Sequence, residues 1–130
     1  MPDPDTNCSA PGKADAVSWP SPEEIEIEPK AVAALMERKA PFRLIDCREE
    51  DEWELTRIEG AELLPLSEFG ERYAGVLTDR DEPLVIQCHH GMRSAKATHF
   101  LRAKGYRQAW SMARGIEGWS TEVDPSVPRY

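Results

Sequence analysis

The chain has 130 residues, the usual length of one domain, and carries a formal net charge of −8 with 40% hydrophobic residues. That acidity argues against nucleic acid as a general partner, and no stretch approaches the ~20 apolar residues of a membrane span. Three cysteines without metal or disulfide spacing (Cys8, Cys47 and Cys88), and an N-terminus without the basic and apolar regions of a secretory signal, make a reducing cytoplasm the expected compartment.

Residues 1–21 are rich in Pro, Asp, Ser and Ala and read as a disordered lead-in, with Trp19 its one large apolar group, to a domain over residues 22–130. Glu24–Ile27 alternates charged and apolar residues, as a short edge strand does. Pro29 suits the first turn of a helix with the apolar stripe Val32, Leu35 and Met36, and Pro41 ends it. Phe42–Cys47 is nearly continuous in apolar character, like a parallel strand covered on both faces, and sets Asp46 at its C-terminal end. Glu49–Leu55 is a short acidic helix with Trp53 as its expected core anchor. Ala61–Leu64 reads as a third strand. Leu66, Phe69, Tyr73 and Val76 place a helix over Ser67–Gly75, with Ser67 near its cap. The polar loop Thr78–Glu82 leads to the strand Leu84–Gln87. Ala97, Phe100, Leu101 and Lys104 then mark a helix over Ala95–Lys104, closed by Gly105. Arg107–Met112 is the last strand and Ile116–Ser120 a short last helix. The alternation predicts an α/β fold with a central, mostly parallel five-stranded sheet and helices on both faces.

Cys88 follows a strand and precedes a helix, on a loop that opens into a helix N-terminus. Unpaired N–H groups and the helix dipole favour an anion there, and Gly91 lets the loop turn tightly enough for its N–H groups to converge. Arg93 adds a full charge. Cys88 is therefore expected to be an activated thiolate in an anion-holding cradle. Charge is also unevenly spread. Pro83–Ile116 holds Arg93, Lys96, Arg102, Lys104, Arg107 and Arg114 and no acid, so it is +6 within a remainder of −14. Positive charge is expected around the site, with Arg93 and Arg114 the leading candidates to draw a small anionic substrate or an acidic protein face.

Cys88-His89-His90-Gly91-Met92-Arg93-Ser94 resembles the active-site loop of rhodanese domains, which begins with cysteine and ends with arginine followed by Ser or Thr. Leu44-Ile45-Asp46-Cys47-Arg48, with Glu52-Trp53 and Ile58-Glu59-Gly60-Ala61, is similar to the family's early signature. Gly105-Tyr106 and Gly115-Ile116-Glu117-Gly118-Trp119 are similar to its late one, so the resemblance covers about residues 22–130. It implies a three-layer rhodanese-like fold and sulfur transfer without a metal or organic cofactor. Related phosphatases and arsenate reductases have a loop one residue longer than the four that separate Cys88 from Arg93, which disfavours phosphoryl chemistry here. A rhodanese-fold binding module without turnover is the other alternative.

The mechanism so implied is two-step nucleophilic catalysis. Cys88 takes sulfane sulfur from thiosulfate or a persulfide, and a thiol, cyanide or a protein acceptor removes it from the Cys88 persulfide. His89, His90, Gly91, Met92, Arg93 and Ser94 would hold the anion; Asp46, Arg48 and Arg114 would support, with Asp46 orienting Arg93 by an ion pair. One of His89 and His90 is expected to point to solvent at the mouth rather than join Cys88 on a metal. The tail Val123–Tyr130 resembles the ending of rhodanese domains fused to enzymes that activate sulfur carriers, which suggests a protein acceptor. Thr56 and Arg57 replace the family's Gly-His, and Arg114 replaces a glycine. Cys47 stands where an aliphatic residue is common, on the strand the family places beside that of Cys88. It is either a small core residue or the partner of Cys88 in a disulfide.

Overall fold

The structure is a computed structural model that describes residues 19–130; the expected disordered lead-in, Cys8 included, lies outside it up to residue 18. Five strands form one parallel sheet. They are β1 (Glu26–Ile27), β2 (Arg43–Asp46), β3 (Glu62–Leu63), β4 (Leu84–Gln87) and β5 (Ala109–Met112), in the order β1-β5-β4-β2-β3. Between them run α1 (Pro29–Glu37), α2 (Glu50–Leu55), α3 (Leu66–Val76), α4 (Met92–Ala103) and, last, α5 (Gly115–Glu122). The α/β architecture matches the sequence expectation, with every strand pair parallel.

The pleat sorts the strand residues into two cores, because successive side chains point to opposite faces. Ile45 and Cys47, Ile86 and Cys88, and Ala109 join Phe69, Ala97 and Leu101 in one cluster, under α3 and α4. Leu44, Val85, Trp110 and Met112 join Val32, Leu35, Ile116 and Trp119 in the other, under α1 and α5. The central strand β4 is buried throughout, which explains its unbroken apolar sequence. Trp19 stacks on Trp110 with ring centroids 5.1 Å apart and meets Phe42 edge-on, and the Trp110 indole N–H donates to Ser21 O at 3.2 Å. Among the described residues no helix is long and apolar enough to cross a membrane.

Local details depart from expectation in instructive ways. Pro41 does not end α1. Lys39 does, in a left-handed conformation (φ 58°): its N–H bonds Met36 O and the Ala40 N–H bonds Leu35 O, both at 3.0 Å, satisfying the last carbonyls of the helix. Gly105 ends α4 in the same manner. Trp53 is not a core anchor. No residue of α2 is buried, and the Trp53 ring carries the Arg57 guanidinium at 4.8 Å. Ser67 does not cap α3; its hydroxyl donates to Glu49 Oε1 at 2.7 Å, and Pro65 holds the cap position.

The fold constrains the Cys88 loop through α5. The Ile116 N–H donates to Cys88 O at 2.7 Å and the Glu117 N–H to His89 O at 3.1 Å. Gly115 makes the approach feasible, since it sits at φ +55° and a Cβ there would stand 2.2 Å from Cys88 O and 2.7 Å from His89 O. Gly115→Ala is expected to cost at least about 3 kcal/mol, because backbone strain and a backbone clash coincide. Urea unfolding with an unchanged slope checks this, and a cost below about 1 kcal/mol would show that the loop and α5 are not tightly docked.

Candidate active site

Cys88 and its neighbours are placed by the register of β2 against β4. Asp46 pairs with Gln87, and the ladder runs one step further, with the Cys47 N–H donating to Gln87 O at 2.9 Å. Cys47 and Cys88 therefore stand side by side just beyond the strand ends, on the same face. Asp46 faces the opposite side of the sheet.

The chain after Cys88 curls back over its sulfur. Gly91, at φ +107°, holds the N-cap position of α4 and donates its N–H to Cys88 Sγ at 3.1 Å; Ser94, in the first turn, donates its N–H at 3.3 Å. The Ser94 hydroxyl lies 3.5 Å from the same sulfur and 2.7 Å from Ser111 Oγ on β5. The Ser94 hydroxyl also lies 3.2 Å from Gly91 O, so with Ser111 donating to it, its one proton is shared between that carbonyl and the sulfur. A side chain at Gly91 would press on the Arg114 backbone, 3.2 Å from its nitrogen, so loop and α5 fit closely here as well. Cys88 is 1% exposed, yet it lines the floor of a cavity of about 220 Å³ walled by His89, His90, Met92 and Arg93.

Electrostatics in this pocket favour the anion. The Cys47 thiol donating toward Cys88, then the Ser94 hydroxyl and the Ser94 and Gly91 N–H groups, hold the Cys88 thiol well below its ordinary value; burial opposes them and loses. Cys47 responds in the other direction, pushed up by Cys88 and by burial.

Arg93 does not pair with Asp46. It makes a bidentate pair with Glu52 of α2, NH1–Oε1 at 2.7 Å and NH2–Oε2 at 2.9 Å. Asp46 instead grips Arg48 on the other face of the sheet, with NH2–Oδ2 at 2.7 Å and both side chains fully buried. Arg48 spends its five donors completely: Nε on Asp46, the two terminal nitrogens on Asp46, Thr56 O, Glu52 O and the Tyr130 hydroxyl. The Tyr130 hydroxyl accepts from Arg48 at 3.0 Å and donates to Glu52 Oε2 at 2.7 Å. Glu52 thereby links Arg93 at the cavity to the buried pair and to the C-terminal tail.

The expectation that positive charge gathers at the site is corrected. Of the six basic residues in Pro83–Ile116, Arg93 alone lines the cavity. Arg107 pairs with Asp81, and Arg102 bonds the carbonyls of Ala109 and Glu24. Arg114 pairs with Glu28 and Glu122 and contributes its backbone, in a left-handed turn, rather than its charge.

His90 is exposed, whereas His89 is sandwiched between His90 (centroids 3.8 Å apart) and Tyr130 (3.9 Å). Burial, then His90, pushes the His89 imidazole down, so it is neutral at pH 7. Donor atoms of His89, His90 and Glu117 lie within 4.8 Å of one another. The stacked rings are poorly aligned for a shared ion, which would have to lie in the plane of each ring. Cys88 is not part of that group. Met92, at 84% exposed, forms the outer rim of the cavity. Glu52, Ser111 and Tyr130 were not singled out as site residues from sequence; the acidic-aromatic pair Glu52-Trp53 was the one available signal.

Two outcomes follow from these electrostatics. The thiolate absorbance of wild type minus Cys88→Ser is expected to titrate well below neutrality, and to move upward in Ser94→Ala. A midpoint near the ordinary value of about 8.5 would remove the cradle as an activating device. Arg93 holds Glu52 down at about 2, so the stability of that pair is whole above the unfolded carboxylate value of about 4.3 and is lost as pH falls from there toward 2. Urea midpoints of wild type and Glu52→Gln are expected to differ at neutral pH and to draw together below about pH 3. A gap that persists at low pH would mean the pair contributes nothing.

The sequence model of the Rhodanese-like domain family matches residues 28–122. The thiosulfate sulfurtransferase GlpE of Actinobacillus succinogenes is 33% identical over 87 residues, 67% of this chain and 77% of that protein. The probable adenylyltransferase/sulfurtransferase MoeZ of Mycobacterium tuberculosis is 28% identical over 104 residues, 80% of this chain but 26% of that protein. The chain spans less than a third of the length of several curated relatives it matches. A crystal structure of a rhodanese-related protein from Thermoplasma volcanium superposes with a TM-score of 0.66 at 29% identity, covering 82% of this chain and 99% of that one. With nearly three quarters of its length matched to the family, the chain belongs to the rhodanese-like domain family, and its relatives include sulfurtransferases.

Proposed function

We propose that the protein is a sulfurtransferase that carries sulfane sulfur on Cys88, from thiosulfate or a persulfide donor to a thiol, cyanide or protein acceptor. The observation that carries this reading is the Cys88 sulfur itself, held by the N–H groups of Gly91 and Ser94 on a loop with only four residues before Arg93. A ring this tight fits one sulfur atom better than a tetrahedral phosphoryl group. The likeness to a relative named as a thiosulfate sulfurtransferase supports the same direction.

In the first half-reaction the Cys88 thiolate attacks the outer sulfur of thiosulfate. The S–S bond of the donor breaks, and sulfite leaves with the bonding pair. The charge now rests on the outer sulfur of a Cys88 persulfide, one atom beyond the Sγ that the Gly91 and Ser94 N–H groups hold, on the side where Arg93 lines the cavity. In the second half-reaction an acceptor nucleophile attacks that outer sulfur and Cys88 departs as a thiolate. The same interactions that activate Cys88 as nucleophile make it a good leaving group. Arg93 supplies the cation beside the cavity, fixed in direction by Glu52. A protein acceptor is suggested by the exposed rim at Met92 and by the relative that joins sulfurtransferase to adenylyltransferase in its name.

Reduced wild type is expected to release one sulfite per chain from thiosulfate and to convert added cyanide to thiocyanate, and Cys88→Ser is expected to do neither. Turnover of p-nitrophenyl phosphate, or no sulfite release by reduced, folded protein, would overturn the reading. Arg93→Ala is expected to lower kcat/KM for thiosulfate about 10- to 100-fold, as befits the loss of one charge beside the reacting anion.

A further inference from the structure

Transfer through Cys88 makes no chemical use of a second thiol, yet the fold delivers one to it. The parallel ladder runs past Asp46 and Gln87 to set Cys47 beside Cys88. Neighbouring strands lie about 4.8 Å apart, inside the range of Cα separations, about 4.4–6.8 Å, that a disulfide bridges. Both side chains enter the same core cluster, so their sulfurs share one face of the sheet. Both are free cysteines.

The direction of approach also suits a displacement at Cys88. Cys88 lines the cavity, and Gly91 and Ser94 close the loop over its sulfur. Cys47 is absent from the cavity wall and fully buried, so it meets Cys88 from the core side. A nucleophile on the core side and a leaving sulfur on the cavity side are opposed, as displacement at sulfur requires.

We propose that Cys47 is a resolving thiol, which attacks Sγ of the Cys88 persulfide, closes a Cys47–Cys88 disulfide and expels the sulfane sulfur as hydrosulfide. The proposal rests on the persulfide reading above and adds a second outcome to it, sulfide release instead of transfer. The Cys88 Sγ to outer sulfur bond breaks and the Cys47 Sγ to Cys88 Sγ bond forms. The proton of Cys47 leaves with the persulfide anion as HS⁻. The two cysteines are oxidised to the disulfide and the sulfane sulfur is reduced to sulfide, so no external oxidant enters. A dithiol, or two small monothiols entering through the cavity, reduces the disulfide at Cys88 and restores the resting state.

Charge times the step. In the resting state the Cys88 thiolate and burial keep Cys47 protonated and unreactive. Sulfur loading moves the negative charge one atom outward, onto the sulfur facing the cavity, and lifts the part of that restraint that comes from the Cys88 thiolate.

The test is a single turnover without oxygen or reductant, at mildly alkaline pH where Cys88 is ionised in every variant. Reduced wild type, Cys47→Ala and Cys47→Ser, each shown to be folded by circular dichroism, receive thiosulfate. Free sulfide is then measured, and thiols are blocked before intact-mass and peptide analysis. Wild type is expected to release close to one sulfide per chain and to yield a Cys47–Cys88 cross-linked peptide. The Cys47 variants are expected to retain the extra sulfur in cyanide-labile form, with sulfide release at least about tenfold lower. Sulfide release by both variants at the wild-type rate, or wild type that keeps its extra sulfur without releasing sulfide, would overturn this proposal and leave the persulfide reading standing. No sulfite release from thiosulfate by wild type would overturn the persulfide reading, and this proposal with it.

Discussion

The whole site depends on where the carbonyl groups of the Cys88 loop go. A tight loop can aim its N–H groups at one atom only if its C=O groups find donors elsewhere. Here the first N–H groups of α5 take the carbonyls of Cys88 and His89, so one helix N-terminus is used to orient the loop while that of α4 faces the sulfur. The two helices act on opposite sides of the same few peptide groups. Gly115 is the point of closest contact, and its lack of a side chain is what lets them meet.

This division of labour explains an electrostatic result that the charge distribution alone conceals. Arg93 is neutralised by a bidentate carboxylate, and the other basic residues of its segment pair elsewhere, so the pocket is not a patch of bare positive charge. The thiolate is held instead by short-range dipoles, a hydroxyl and two amides at 3.1–3.5 Å, with the Cys47 thiol beside them. Such groups are arranged before the reaction starts and are screened little by salt, because they act inside a closed pocket. The acidic remainder of the chain therefore does not compromise an anionic sulfur.

Much of this was legible in the sequence. The unbroken apolar run of β4, the glycine three residues after Cys88 and the shift to helical spacing placed the cysteine at a strand end before a helix. The parallel five-stranded sheet followed from the alternation of elements. The error over Asp46 is instructive because its remedy was also in the sequence. Register pairs Cys47 with Cys88, and a period of two then turns Asp46 and Arg48 to the other face, out of reach of Arg93. Glu52, Ser111 and Tyr130 were less accessible. Each comes from a different element, and their meeting depends on how helices and the tail settle on the sheet, which no local pattern encodes. Trp53 was misjudged for a related reason: a large aromatic on a six-residue helix was assigned to the core, whereas the cation of Arg57 covers it at the surface.

The docking of α5 has a further consequence, for the time at which the sulfur becomes reactive. Cys88 is translated well before Gly115, and the carbonyl acceptors that shape its loop find their donors only when α5 has been made and has folded back. Until then the cysteine sits on an unorganised connection and has the sluggish chemistry of any exposed thiol. The activated cysteine is thus a property of the finished fold rather than of its loop sequence.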